Sequence, residues 1–166
     1  MIIVELASDN WPEHDWESLA NEAAINAIAA TPHTDLITTT AAIEISIRLT
    51  SDVEVQTLNL QYRGQDKPTN VLSFPMVQPD LISTIANSDD GEVLLGDIVL
   101  AYETCAREAA ERGVPLEEHA THLIVHGVLH LLGYVHMTDA DAEAMEAIEQ
   151  SVMATLGLHN PYPIED

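Results

Sequence analysis

The chain has 166 residues, of which 46% are apolar, with 28 acidic residues against 5 basic ones and a formal net charge of −23. That length suits one domain spanning 1–166 and that apolar share supports a buried core, which excludes a disordered or fibrous protein. So negative a field repels nucleic acid and anionic lipid and attracts cations and basic proteins. A single cysteine, Cys105, excludes an intramolecular disulfide and fits a reducing cytosol. The opening MIIVELASDN has no basic leader, which argues against a signal peptide. No run of about 18 apolar residues offers a membrane span.

In chain order, MIIVELAS is a short β-prone opening, and WESLANEAAINAIAA (16–30) is an alanine-rich helical pattern stopping before Pro32. AAIEISIRLT (41–50) alternates Ile43, Ile45, Ile47 and Leu49 with Glu44, Ser46 and Arg48, the period of a half-buried strand. Ser51 with Glu54 forms a capping-box pattern that starts a helix through VEVQTLNLQYR, ended by Gly64. Val71, Leu72 and Phe74 predict a short strand between two prolines, and residues 78–91 a polar loop. EVLLGDIVLA (92–101) predicts a buried strand and ETCAREAAERG (103–113) a helix stopped by its glycine. A long helix follows from Leu116 to Leu132, closed by Gly133, and DADAEAMEAIEQSVMATLG makes a final helix. The expected fold class is α/β (α+β): a small mixed sheet of about four strands packed with about five helices. The pattern leaves the strand order open.

The chemistry concentrates in HGVLHLLGYVH, residues 126–136. His126 and His130, four apart on a helix, project from one face one turn apart, which suits capture of a metal. Gly133 supplies a left-handed turn that brings a third imidazole, His136, in from the side. Three neutral imidazoles leave a fourth position for water, as in catalytic zinc sites, where the ion lowers the pKa of that water from 15.7 to about 7. A lone histidine on an apolar helix is more often a hydrogen-bonded core residue; three at this spacing around a glycine favour a metal. His119, His122, His126 and His130 share one stripe, but His122 to His130 spans about 12 Å at 1.5 Å per residue, too far for one ion. His122 is expected either behind the ligands or as a substrate contact, or else in a core hydrogen bond, and His119 at the surface; His14, His33 and His159 have no assigned role. The frame HxxxHxxGxxH also occurs in zinc proteases, whose general-base glutamate follows the first histidine. Here that position is Gly127, which offers no base.

HLIVHGVLHLLGYVH (122–136) resembles the C-terminal motif of the YbeY family, bacterial rRNA maturation factors described as single-strand-specific endoribonucleases. LNLQYRGQDKPTNVLSFP (58–75) is similar to the family's central block and LGDIVLA (95–101) to its GDI strand. The resemblance implies a domain that binds Zn2+ through His126, His130 and His136 and acts in small-subunit ribosomal RNA processing and ribosome quality control. It also implies a functional arginine at Arg63. Catalysis then depends on Arg63 and on His126 as a ligand, with hydrolysis of an RNA phosphodiester as the reaction. Two positions depart from the family pattern: Val135 stands where aspartate is common, and Asn70 likewise. Loss of the first aspartate removes a hydrogen bond expected to orient an imidazole.

Arginine's planar fork suits phosphate oxygens, and Lys67 offers a second contact. Ser73 and Asn70 either line the site or cap the strand. Five cations cannot form a broad basic face, so weak RNA binding with a shallow salt slope is expected. Specificity is then expected from a partner on the small ribosomal subunit, a basic ribosomal protein, in the cytoplasm and away from membranes. The rival readings are a non-catalytic assembly factor with a structural zinc, and a metallohydrolase of another substrate.

Overall fold

The computed structural model describes residues 1–85 and 91–162. Strand β2 (Ala42–Thr50) turns the sequence pattern directly into architecture. Its Ile43, Ile45, Ile47 and Leu49 are fully buried on one face, while Glu44, Ser46 and Arg48 point to the other. Burying each of those side chains contributes about 1.5–3 kcal/mol, which fixes which way the strand faces. Around β2 lie β1 (Ile2–Ser8), β3 (Val71–Pro75) and β4 (Glu92–Ala101), in the order β1-β2-β4-β3. β1 and β4 run parallel to β2, and β3 runs antiparallel to β4, so the sheet is mixed. A bulge between Glu44 and Ile45 shifts the β2–β4 register.

Two long helices cover the isoleucine face. They are α1 (Trp16–Ala29), through Ala20, Ala23, Ala24, Ala27 and Ile28, and α6 (Leu116–Leu131), through Leu123, Ile124, Val128 and Leu131. Small side chains on α1 let it lie close, and Gly127 does the same for α6. A Cβ at residue 127 would stand 3.0–3.2 Å from the Ile98 side chain. The position after the first histidine is therefore used for helix-to-sheet contact. Helix α5 (Tyr102–Arg112) packs beside α6, and α7 (Asp139–Thr155) supplies Met145 and Val152 to the same core. The opposite sheet face carries a smaller cluster of Val55, Leu72, Val99 and Ala101 under α3 (Asp52–Arg63).

Helix α3 starts where the capping pattern places it: Ser51 Oγ accepts from the Glu54 amide at 3.3 Å. The reciprocal half of the box is absent, because the Glu54 carboxylate accepts from the Thr50 hydroxyl at 2.6 Å and pairs with Arg48 at 2.7 Å. The sequence expectation for residues 78–91 needs correction. A 3-10 turn at Pro79–Leu81 leads into a one-turn helix, α4 (Ile82–Ile85), whose two isoleucines are buried; residues 86–90 lie outside the described residues. A second one-turn helix, α2 (Asp35–Thr38), buries Leu36. The described residues thus hold seven α-helices rather than about five. None of them is long and apolar enough to cross a membrane.

Candidate metal centre and its groove

Helix α6 carries the histidine stripe along the side that faces α5 and α7. At its start His119 is fully buried, with Nε2 2.9 Å from Glu108 Oε1 on α5. This corrects the expectation that His119 is a surface residue. The reason is the carboxylate across the helix pair, which satisfies an imidazole in the core. Glu108 also accepts from Asn70 Nδ2 at 3.0 Å, and Asn70 Oδ1 takes the Val71 amide at 2.7 Å. Asn70 therefore caps β3 and ties it to α5.

One turn on, His122 is buried with Nε2 3.2 Å from Glu149 Oε1, and His126 directs Nδ1 to the same oxygen at 2.7 Å. The other Glu149 oxygen accepts from the Tyr162 hydroxyl at 2.8 Å. Glu149 is wholly inaccessible to solvent. Burial alone would raise its pKa; the hydrogen bonds from His122 and His126 outweigh that and hold it ionised, well below the ordinary carboxylate range. His122 is shifted down, first by burial, and stays a neutral N–H donor to the carboxylate. The structure gives His122 a buried hydrogen bond to the same carboxylate that holds His126.

His130 directs Nδ1 to the Tyr134 carbonyl at 2.8 Å. A carbonyl only accepts, so the proton sits on Nδ1 and Nε2 keeps its lone pair. Burial foremost, then the neighbouring His126, lowers the His130 pKa to about 4, so it remains neutral. Glu149 holds His126 through Nδ1, which leaves its Nε2 turned toward His130. The two Nε2 atoms face each other at 3.0 Å. Two imidazole nitrogens at this separation repel unless a proton or a metal cation lies between them, so the pair offers a cation two donors whose rings are already held from behind. The carbonyl that orients His130 is delivered by the turn at Gly133, whose φ is +99°. A side chain there would be strained and would collide with Pro79, 2.8 Å from its Cβ position.

His136, beyond the turn, is exposed, with its ring centroid 5.3 Å from that of His126 and 5.5 Å from that of His130. Among the described residues no three potential ligands have their donor atoms gathered at one point. His136 thus stands in ring contact with the pair without closing a coordination triangle.

A groove of about 430 Å3 opens in front of the pair, walled by Arg63, Asn70, Ser73, His126, His130 and Tyr134. Arg63, the last residue of α3, is exposed there; the arginine ion pairs among the described residues are made by Arg48 and Arg107. Lys67 lies in the following loop, where its carbonyl accepts from buried Asn59. A smaller recess on the other side of His126 is lined by His122, Tyr162 and Arg112. Sequence reasoning missed Glu149, Tyr162 and Arg112. Glu149 left a visible trace, a carboxylate on the stripe of Met145 and Val152 that α7 buries. It also supplies the oxygen partner for an imidazole that the loss of aspartate at Val135 had seemed to remove.

Fold and site together define a mixed α/β domain that presents paired, pre-oriented imidazoles and an arginine in one open groove. A family model described as Endoribonuclease YbeY matches residues 7–157. Endoribonuclease YbeY of Sphingopyxis alaskensis is 58% identical over 168 residues, covering 100% of both chains. That of Rhizorhabdus wittichii is 60% identical over 161 residues, covering 96% of this chain and 95% of its own. The chain belongs to the endoribonuclease YbeY family. The solution structure of TM1509 from Thermotoga maritima shares the fold, with a TM-score of 0.56 at 22% identity over 99% of this chain and 100% of that one.

Proposed function

We propose that this protein is a cytoplasmic, zinc-dependent endoribonuclease that cuts single-stranded RNA during maturation of small-subunit ribosomal RNA and in ribosome quality control. The observation that carries the reading is the facing pair of Nε2 atoms of His126 and His130, 3.0 Å apart, in a groove shared with Arg63. Family membership supplies the substrate class.

In this reading His126, His130 and His136 would hold the ion. Zinc, when bound, supplies Lewis acidity toward a phosphoryl oxygen and toward water. Glu149 and the Tyr134 carbonyl lock the two helix imidazoles in the tautomer that ligates. Arg63 pairs with the scissile phosphate and stabilises the charge that accumulates on it in the transition state. No carboxylate lines the groove among the described residues to act as general base, and the attacking oxygen is either that of water or the RNA's own 2′-hydroxyl. Analysis of product ends separates them, since only attack by the 2′-hydroxyl leaves a cyclic phosphate.

The acidic surface supports docking on a basic ribosomal protein, which would deliver the protein to RNA that its own field repels. The test is cleavage of a single-stranded rRNA fragment by protein freed of other nucleases. His126→Ala is expected to abolish cutting, and Arg63→Ala to lower it by about 100-fold or more, as removal of one oxyanion-stabilising donor does elsewhere. Wild-type rates in His126→Ala would refute the reading. Unfolding on chelation, together with normal rRNA processing in Arg63→Ala cells, would favour a structural zinc in an assembly factor.

A further inference from the structure

A cavity of about 530 Å3 lies outside the groove that holds the histidines. It forms because the sheet's second face is only partly covered. Helix α3 closes over Leu72, Val99 and Ala101 and leaves the neighbouring row of Ser46, Arg48, Asp97 and Phe74 open. The rings of Tyr62 and Phe74 stand at one side, centroids 5.4 Å apart and inclined at 63°, with Tyr62 63% exposed. At the floor Ser46 and Phe74 flank Asp97 in register on the two adjacent strands. Asp97 is half-buried, and no hydrogen bond or ion pair reaches its carboxylate from the described residues. The one cation on this wall, Arg48, is engaged by Glu54 at 2.7 Å. Ser73 and Pro75 of the edge strand β3 line both this cavity and the groove of Arg63, His126 and His130, so the two adjoin across that strand. Tyr62 and Arg63, adjacent at the end of α3, each face one of them.

A concave apolar site with a few convergent polar groups is the usual form of a small-ligand pocket, and this volume is within the usual range of about 300–1,000 Å3. An aromatic wall beside a phosphate-pairing arginine suits one ligand in particular, a base unstacked from a single strand whose backbone crosses the neighbouring groove. A carboxylate accepts only, so it selects a base by its donors. Guanine presents N1–H and the N2 amino group side by side, which match the two carboxylate oxygens; adenine and uracil offer no such pair, and cytosine only its N4 amino group.

We infer that this cavity is a base-reading subsite, in which an unpaired guanine flanking the scissile phosphate stacks against Tyr62 and Phe74 and donates its N1–H and N2–H to Asp97. The inference rests on the reading of the protein as an RNA-cutting enzyme, and it gives that enzyme a sequence preference that its phosphate contacts cannot provide.

Single-stranded oligouridylates carrying one central G, A, C, U or inosine test it by fluorescence anisotropy at low salt, alongside cleavage of the same oligomers. The G oligomer is expected to bind the wild-type protein about 5- to 100-fold tighter than the A oligomer, the discrimination of a good two-bond base contact. Inosine, which keeps N1–H and lacks the amino group, falls between them. Asp97→Asn is expected to bring all five within about twofold of one another. Tyr62→Ala, at an exposed position where folding is not at stake, weakens all of them alike. Equal binding and cutting of the five by wild type overturns the subsite and leaves the nuclease reading standing. Selective binding of the G oligomer without cutting supports the subsite and overturns the nuclease reading. Failure of every oligomer to bind, or a G preference that persists in Asp97→Asn, overturns the subsite.

Discussion

Glu149 sets the properties of the residues around it. One buried carboxylate accepts from two histidines of α6 and from Tyr162, so a change there is felt by the candidate ligand His126 through its Nδ1. Glu149→Gln keeps the shape and removes the charge; loss of a partner of this kind costs roughly 10- to 100-fold in metal affinity, measurable by competition with a chromogenic chelator. Glu108 behaves differently, since its partner His119 lies two turns from the candidate ion site. The hydrogen bond from His119, ahead of an opposing burial effect, holds the Glu108 pKa below its ordinary value. A depressed folded pKa gives stability that is present above the unfolded value and is lost as pH falls through the folded one. Glu108→Gln is therefore expected to be less stable than wild type at pH 7 and equal to it at acid pH, in urea unfolding at both. The difference stays within about 1 kcal/mol, because the carboxylate is partly solvated. Cys105, buried beside Glu108 and Asp52, has its thiol pushed up first by burial and then by those charges, and is expected to resist alkylation in the native protein.

Among the elements α6 decides most, because one face builds the core and one side carries the site. Its glycine shows the two demands meeting. Gly127→Glu would restore the general-base position of zinc proteases, yet its Cβ would press on Ile98. The expected result is a loss of about 1–3 kcal/mol in denaturant unfolding and no peptidase activity. Much at this scale was legible in the sequence. The isoleucine alternation of β2, the caps Ser51 and Gly64 of α3, and the glycine stop of α5 are local signals, and each element begins and ends within a residue of its expected bounds. The strand order was not legible, since it is set by which helices can cross which faces and not by any local pattern. Residues 79–85 were misjudged because Leu81, Ile82 and Ile85 are interspersed with proline, serine and threonine, and only contact with the main core reveals that Ile82 and Ile85 belong to it. His119 and Glu149 were hidden for the same reason: each is buried by a partner on another helix.

For the whole molecule the question is how a chain of net charge −23 handles RNA. Two of its five cations, Arg48 and Arg107, are in ion pairs with glutamates, while Arg63 and Arg112 line the cavities on either side of His126. Arginine charge thus flanks His126 on both sides within a repelling surface. With one to three phosphate contacts, the logarithm of affinity for naked single-stranded RNA is expected to fall with the logarithm of salt at a slope of about −1 to −2. A slope several times steeper would mean a basic binding face that these residues do not provide. A basic ribosomal protein should lift affinity most at low salt, where the acidic field reaches furthest.

Zinc binding by single-histidine variants, followed by equilibrium dialysis with elemental analysis, bears on all of this most directly. Wild-type protein should hold one zinc per chain, and His126→Ala, His130→Ala and His136→Ala should each weaken binding by about 100-fold or more. Wild-type affinity in His136→Ala, whose ring lies beside the facing pair without completing it, would contradict the three-imidazole site.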